Sequence, residues 1–384
     1  FPAWFPATHR HATASSHMVL PEREVPFFCP KRKKSDILSF STTEHGVYMP
    51  HGREAHVPRL DWQSLFTADG SPDRNGAGAF GDALRRIGFV VLTCAPFRSD
   101  LLAENYRLMR EVFALGTETL TQRHAHPEIG FQRGYMPTRT EFGLRCGNDP
   151  DDKEVMAFGS YHNVGVPSVP AYRDAAEQYY AACQDIGYAL MHVLAVYLDP
   201  SGKENDYVLG LFRDNDGRRI DDSHMRHIRY PGTAQRMACE HTDSNMLSLL
   251  PAATSRGLEV QDNAGNWLAV ETTEGDLVVN AGDMLNFISG GRIRSTLHRV
   301  ENRFNDPTQF RHSMPFFYHP DHTQELTILD SCVSEPADRR MFPHKRITGY
   351  ALLYELLSTY KVIPPDVPLK QWIDSMEHLK KHGF

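Results

Sequence analysis

Between Tyr230 and Ser313 the chain gathers residues able to hold a divalent metal. His241-Thr242-Asp243 sets an imidazole and a carboxylate two residues apart, and His298 follows after several short β-type segments. In a strand, side chains i and i+2 share a face, so His241 and Asp243 can both point inward while Thr242 points away. Two imidazoles and one carboxylate form the facial triad that suits non-haem Fe(II) and leaves coordination positions open. A lone His-x-Asp has little weight in a chain with 20 histidines and 48 acidic residues, and a lone His298 reads as a structural histidine. Their setting changes this. Pro231-Gly232 closes the β-type run ending at Tyr230, Gly282-Asp283 introduces Met284–Ser289, Gly290-Gly291 turns the chain, and Ser295–Val300 carries His298. Further on, Arg311-His312-Ser313 puts a guanidinium and a hydroxyl on one strand face. A guanidinium is a planar fork matched to a carboxylate, and once buried it needs an anion. The competing reading of Arg311 is an internal ion pair with Asp or Glu.

The segments His227–Pro231, Val278–Val300 and Arg311–Phe317 resemble the isopenicillin N synthase-like family of Fe(II)/2-oxoglutarate-dependent oxygenases. The likeness is detailed around His298 and Arg311 and extends loosely from Val57 to Tyr360. It implies that His241, Asp243 and His298 are the iron ligands and catalytic centre. It implies that Arg311 and Ser313 hold the far carboxylate of 2-oxoglutarate, with Tyr230 adding a hydrogen bond. The cofactors it implies are Fe(II), 2-oxoglutarate as co-substrate, and O2. The activity it implies is oxidation of a C–H bond of a small molecule, by hydroxylation, desaturation or ring closure, in secondary metabolism. Gly134–Pro137 and Lys153–Tyr161 resemble the family's segments that lead over the active-site mouth, so Arg133, Tyr135 and Tyr161, with Phe317, are expected substrate contacts. Isopenicillin N synthase itself has a similar Arg-x-Ser yet uses no 2-oxoglutarate. A 2-oxoglutarate-independent Fe(II) oxidase therefore stays open, as does a non-catalytic relative that binds a small acid. A zinc hydrolase would want a general base beside the metal, and Glu240, next to His241, should face the other way.

These residues need a scaffold, and the composition supplies a globular one. Apolar residues make up 41% and charged residues 23% of the 384, with a formal net charge of −7. Lys31-Arg32-Lys33-Lys34 is the only basic run, and it reads as a solvated arm, which argues against a nucleic-acid partner. The apolar run Gly187–Leu198 is too short to span a bilayer, so no membrane partner is expected. Protein partners are not indicated. The six cysteines are scattered and form no Cys-x-x-Cys, which reads as neither a zinc site nor a disulfide framework and favours a reducing cytoplasm.

The fold class expected is mainly β with flanking helices around a double-stranded β-helix, or jelly-roll, core. Residues 1–56 read as an N-terminal arm; Ser15-Ser16-His17-Met18 resembles a cloning scar, so 1–17 enter no functional argument. Residues 57–220 read as an α/β region with helices at Ala79–Gly88 and Leu101–Leu115, a strand at Phe89–Ala95, and a long support helix, Tyr172–Leu198, with one buried stripe. The catalytic core is expected at 221–321, with strands His224–Tyr230, Met246–Leu250, Leu258–Gln261, Trp267–Ala269, Leu277–Asn280, Met284–Ser289, Ser295–Val300 and Arg311–Tyr318. A hairpin turn is centred on Ala264-Gly265. Such a double sheet leaves a cavity between its layers. Residues 322–384 read as a helical segment, with Gly349–Tyr360 closing the barrel and Lys370–Phe384 near its entrance.

Overall fold

Two β-sheets face each other across an apolar layer that narrows to a polar cavity. The computed structural model describes residues 56–142, 149–234, 236–304, 306–333, 346–359, 361–363 and 366–382. The expected N-terminal arm, its basic run, Cys29 and Cys146 lie outside them.

Strand β1 (Arg59–Asp61) pairs in parallel with β2 (Phe89–Thr93), and α1 (Arg74–Ile87) crosses between them. Asp73 caps α1 by accepting from the Gly76 N–H, and Gly88 ends it at φ 74°. Helices α2 (Ser99–Phe113) and α3 (Thr117–His124) lead to β3 (Gly134–Met136) and β4 (Glu154–Gly159). The long α4 (Ala171–Leu198) and short α5 (Asn205–Gly210) follow. The core strands are β5 (His224–Pro231), β6 (Arg236–His241), β7 (Leu247–Pro251), β8 (Leu258–Gln261), β9 (Trp267–Ala269) and β10 (Leu277–Ala281). Helix α6 (Asp283–Ile288) then precedes β11 (His298–Glu301), β12 (Phe310–Ser313) and β13 (Phe316–Tyr318). A small pair, β14 (Glu325–Thr327) and β15 (Arg346–Thr348), leads to α7 (Gly349–Thr359) and α8 (Leu369–His382).

The larger sheet runs β1-β2-β10-β7-β13-β5-β4-β3, with β12 also on β5; the smaller runs β6-β11-β8-β9. Strands from the N-terminal region extend the same sheet as the core strands, β2 on β10 and β4 on β5. Side chains from both sheets, among them Val91, Ile228, Met237 and Val260, share one buried cluster. Helix α4 covers the other face of the larger sheet. The expected stripe (Tyr179, Cys183, Ile186, Leu190, Val193, Tyr197) is buried, and the Tyr179 and Tyr180 hydroxyls donate to the carbonyls of Met314 and Ser223. By length and composition α4 could cross a membrane, because its apolar stretch extends well before Gly187; its packing is that of a core helix.

Three local readings need correction. Met284–Ser289 is not a strand; Gly282-Asp283 starts helix α6, whose Met284, Leu285, Phe287 and Ile288 are buried. A short apolar run has no period of its own, and packing decided it. The run Arg311–Tyr318 is two strands, because Pro315 interrupts the ladder. Cysteine scatter was also misleading at one position. Cys183 and Cys332 are buried free thiols, but Cys239 is disulfide-bonded. Only the tertiary fold brings two sulfurs within bonding distance. The hairpin turn stands: Asp262 accepts from the N–H groups of Ala264 and Asn266, and Gly265 takes φ 86°.

Candidate metal centre

Strand pairing brings the two histidines together. In the β6–β11 ladder His298 lies directly opposite His241, beside a register shift between His298 and Val300 that re-aims the strand. The ring centroids are 4.2 Å apart. Each imidazole is fixed by the main chain two residues before it: His241 Nδ1 lies 2.7 Å from the Cys239 carbonyl and His298 Nδ1 3.0 Å from that of Thr296. Carbonyls only accept, so Nδ1 holds the proton and each Nε2 presents a lone pair.

Asp243 reaches the same point by another route than strand alternation. Strand β6 ends at His241, and Asp243 sits on the loop beyond it. Its Oδ2 accepts from Ser248 Oγ at 2.5 Å and Asn280 Nδ2 at 2.8 Å. This leaves Oδ1 facing the two Nε2 atoms, 3.9 Å from His241 and 3.7 Å from His298. The loop is pinned by the Asp283 N–H donating to the Asp243 carbonyl at 2.7 Å. Gly282 permits this approach, since a Cβ there would lie 2.2 Å from the Asn245 carbonyl oxygen. The three ligand atoms lie within 4.8 Å of one another.

Electrostatics suit a dication. Burial, then the neighbouring His298, lowers the pKa of His241 to about 4, against the pull of Asp243. Burial works to raise the Asp243 pKa, but the two imidazoles and the Ser248 and Asn280 hydrogen bonds outweigh it and the net shift is downward. A neutral imidazole at His241 and an ionised carboxylate at Asp243 are the protonation states that ligation requires. Glu240 is engaged with Arg299 at 3.4 Å and is not among the described cavity-lining residues, so it is not placed as a general base beside His241.

On the larger sheet, the β12–β5 ladder sets Arg311 opposite Tyr230 and Ser313 opposite Ile228. The Arg311 guanidinium stands 5.3 Å from the Tyr230 ring centroid, and its Nε donates to the Ser255 carbonyl at 3.2 Å. Its Nη1 is buried without a hydrogen-bond partner. Among the described residues no carboxylate lies within ion-pair reach of Arg311, so the internal ion pair is not formed. An unpaired buried guanidinium donor beside the Ser313 hydroxyl fits the far carboxylate of a dicarboxylic acid.

These groups line one cavity of about 150 Å³. Arg133, Tyr161, Phe317 and Tyr230 line it. Tyr135 does not: it is fully buried in β3, and its hydroxyl donates to Glu154 at 2.5 Å. Sequence reasoning missed a block of paired charges on the wall. Arg226 Nη1 donates to both Glu141 oxygens at 3.0 Å, and Lys153 Nζ lies 2.7 Å from both Glu141 and Asp151. One signal was available. Counting back from Tyr230 in steps of two along β5 gives Ile228, Arg226 and His224, all on the cavity wall. The C-terminal helices add Leu353, Leu357 and Met376.

The fold is that of a jelly-roll protein, and the clustered triad could hold one metal ion. The family model of the 2OG-Fe(II) oxygenase superfamily matches residues 221–320. Homoarginine-6-hydroxylase 2-ODD-C23.2 of Arabidopsis thaliana is 26% identical over 305 residues, 74% of this chain and 81% of the relative. Gibberellin 20 oxidase 1 of Oryza sativa subsp. japonica is 27% identical over 282 residues, 70% and 71% of the two chains. Among solved structures, a Caulobacter crescentus protein assigned to the 2OG-Fe(II) oxygenase family superposes with TM-score 0.65 at 28% identity, covering 79% of this chain and 98% of its own. A full-length Neurospora crassa protein, solved in complex with alpha-KG, superposes with TM-score 0.66 at 22% identity, covering 79% and 96%, a likeness of fold. Residues 221–320 are thus matched to the 2OG-Fe(II) oxygenase superfamily, and the chain as a whole is similar to its members. It is a 2-oxoglutarate-dependent dioxygenase whose cofactors are Fe(II), 2-oxoglutarate and O2.

Proposed function

We propose that His241, Asp243 and His298 hold the iron, that Arg311, Ser313 and Tyr230 hold 2-oxoglutarate, and that a small molecule of secondary metabolism is oxidised beside them. The observation that carries this reading is the buried, unpartnered Nη1 of Arg311 in the same cavity as the convergent Nε2 and Oδ1 atoms. With Fe(II), 2-oxoglutarate and O2 bound, the centre would supply oxidation of an unactivated C–H bond, O2 being the four-electron oxidant of both the substrate and 2-oxoglutarate, which becomes succinate and CO2. The protein's residues supply placement. The main-chain carbonyls of Cys239 and Thr296 keep the imidazoles in the ligating tautomer. Ser248 and Asn280 hold one Asp243 oxygen and aim the other. Arg311 and Ser313 fix the far end of the co-substrate, and Tyr230 lies against the guanidinium. Arg133, Tyr161 and Phe317 face the substrate, and Leu353, Leu357 and Met376 keep water from it.

The relatives' names include a homoarginine hydroxylase and gibberellin oxidases, which supports a small-molecule substrate here. A cytoplasmic setting keeps iron ferrous and suits the free Cys183 and Cys332; the disulfide at Cys239 argues the other way. The test is anaerobic addition of Fe(II) and then 2-oxoglutarate to apo-protein, following the weak visible charge-transfer band. The band is expected in wild type and absent in Arg311→Ala at the same ligand concentration. Iron binding without a band would overturn the co-substrate site; no iron binding would overturn the metal assignment.

A further inference from the structure

Among the residues that face the substrate space, Arg133 is a second buried guanidinium without a carboxylate partner among the described residues. Among the described lining residues, the Lys and Arg side chains are Arg133, Lys153, Arg226 and Arg311. Lys153 and Arg226 are already neutralised by Glu141 and Asp151. Arg311 is taken up by 2-oxoglutarate in the reading proposed above, on which this inference rests. Arg133 remains. It is 4% exposed, yet no carboxylate lies within 4.0 Å of it among the described residues. Its hydrogen bonds go to main-chain carbonyls, from Nε to Tyr161 at 2.9 Å and from Nη1 to Gln132 at 2.7 Å, and none leaves from Nη2 to a described residue.

The group is held in place rather than left over. Its Cζ stands 4.7 Å from the Tyr161 ring centroid, and room for it is made at Gly159, where a Cβ would fall 2.0 Å from Cζ. His224 and His322 line the same cavity with Nδ1 and Nε2 unpartnered. Burial, and after it nearby cations that include Arg133, holds both well below the ordinary imidazole value, His322 at about 3, so they offer hydrogen bonds without charge. The acidic groups show the opposite pattern. Glu141 and Asp151 are paired, and Asp222 is 3.0 Å from Lys380. A cationic substrate group finds no free carboxylate among the described lining residues, once Asp243 is given to the metal.

We infer that the substrate carries a carboxylate received by Arg133, which makes Arg133 the residue that selects acids over their neutral and cationic analogues. A buried guanidinium with a free edge binds such a group through charge-assisted hydrogen bonds, and an amide of the same shape lacks the charge.

The test is calorimetric binding of a panel of arylacetic and medium-chain carboxylic acids, each with its primary amide and its amine. Full-length protein is used with and without Fe(II) and 2-oxoglutarate, under anaerobic conditions. At least one acid is expected to bind about ten times more tightly than its amide, with amines weaker still. The acid-to-amide ratio should fall to about one in Arg133→Gln and be partly kept in Arg133→Lys. If Arg133→Gln fails to fold, Gly159→Ala, which displaces the guanidinium, should lower the same ratio. Equal binding of acids and amides, no acid binding at all, or a preference that survives in Arg133→Gln would overturn the inference. The ratio is independent of the visible band. Loss of the band with acid preference intact would therefore sink the cofactor assignment alone.

Discussion

Of the three guanidinium groups that line the cavity, Arg133 and Arg311 have no carboxylate partner among the described residues, and they are placed by different means. Arg311 lies within a strand. Its face is dictated by the β12–β5 register, and Ser313 follows on the same face because side chains alternate. Arg133 lies just before β3, held by two carbonyls, an aromatic ring and a gap at Gly159 contributed by β4. The strand-borne group announces itself as Arg-x-Ser; the loop-borne group has no motif. The same contrast holds within the triad. The histidines meet through a ladder, whereas Asp243 is aimed by side chains from β7 and β10. Ladders make a position readable from local spacing, and loops make it depend on whatever packs against them.

Four substitutions test this contrast. The largest effect is expected for Asp243→Ala, which removes the one anionic ligand of the proposed centre; iron binding, followed by anaerobic titration, and turnover should both fall below detection. Retained stoichiometric Fe(II) binding would mean that the loop does not deliver a ligand. Next, Arg311→Ala should weaken 2-oxoglutarate by about 2–5 kcal/mol, because it strips the partner from a buried carboxylate. Calorimetry on the Fe(II)-loaded protein reads this, and unchanged affinity would remove Arg311 from the co-substrate site.

Glu141→Gln addresses the wall of paired charges. Breaking a buried pair costs about 3–5 kcal/mol, and Asp151, which still faces Lys153, should keep the loss at the lower end. Urea unfolding gives the value. Burial opposes ionisation of Glu141, but Arg226 and Lys153 outweigh it and hold its pKa well below the ordinary carboxylate range. Its stabilisation is therefore complete above the unfolded value of about 4.3 and fades only as pH falls through the much lower folded value. The wild-type advantage over Glu141→Gln should be flat from neutral pH to about 5. An advantage that disappears on going from pH 7 to about 5 would contradict the pairing. The smallest effect is expected for Asn280→Ala, which frees one Asp243 oxygen but keeps Ser248. Losing an outer partner of a ligand costs about tenfold in metal affinity, measured by competition with a chelator.

Much of the core was legible because its cues are short-range. The Gly290-Gly291 turn, the Asp262–Gly265 hairpin and the buried stripe of α4 each state a local geometry. The failures share a cause. Met284–Ser289 had no period to separate strand from helix, and Tyr135 was assigned to the mouth when its hydroxyl is held by Glu154. Glu141, Lys153 and Asp151 carried no signal, since an acidic or basic residue in a connecting segment usually meets solvent.

By itself the sequence determined the chemistry on offer: two imidazoles, a carboxylate, an Arg-x-Ser face, and strands short enough to close a double sheet. Tertiary structure decided which atoms of those groups are free. It placed His241 opposite His298, occupied one Asp243 oxygen, left Arg311 Nη1 unpaired and paired every charge around Lys153. The physical reason is that spacing along a chain sets which way a side chain faces, whereas hydrogen bonding and burial depend on neighbours far away in sequence.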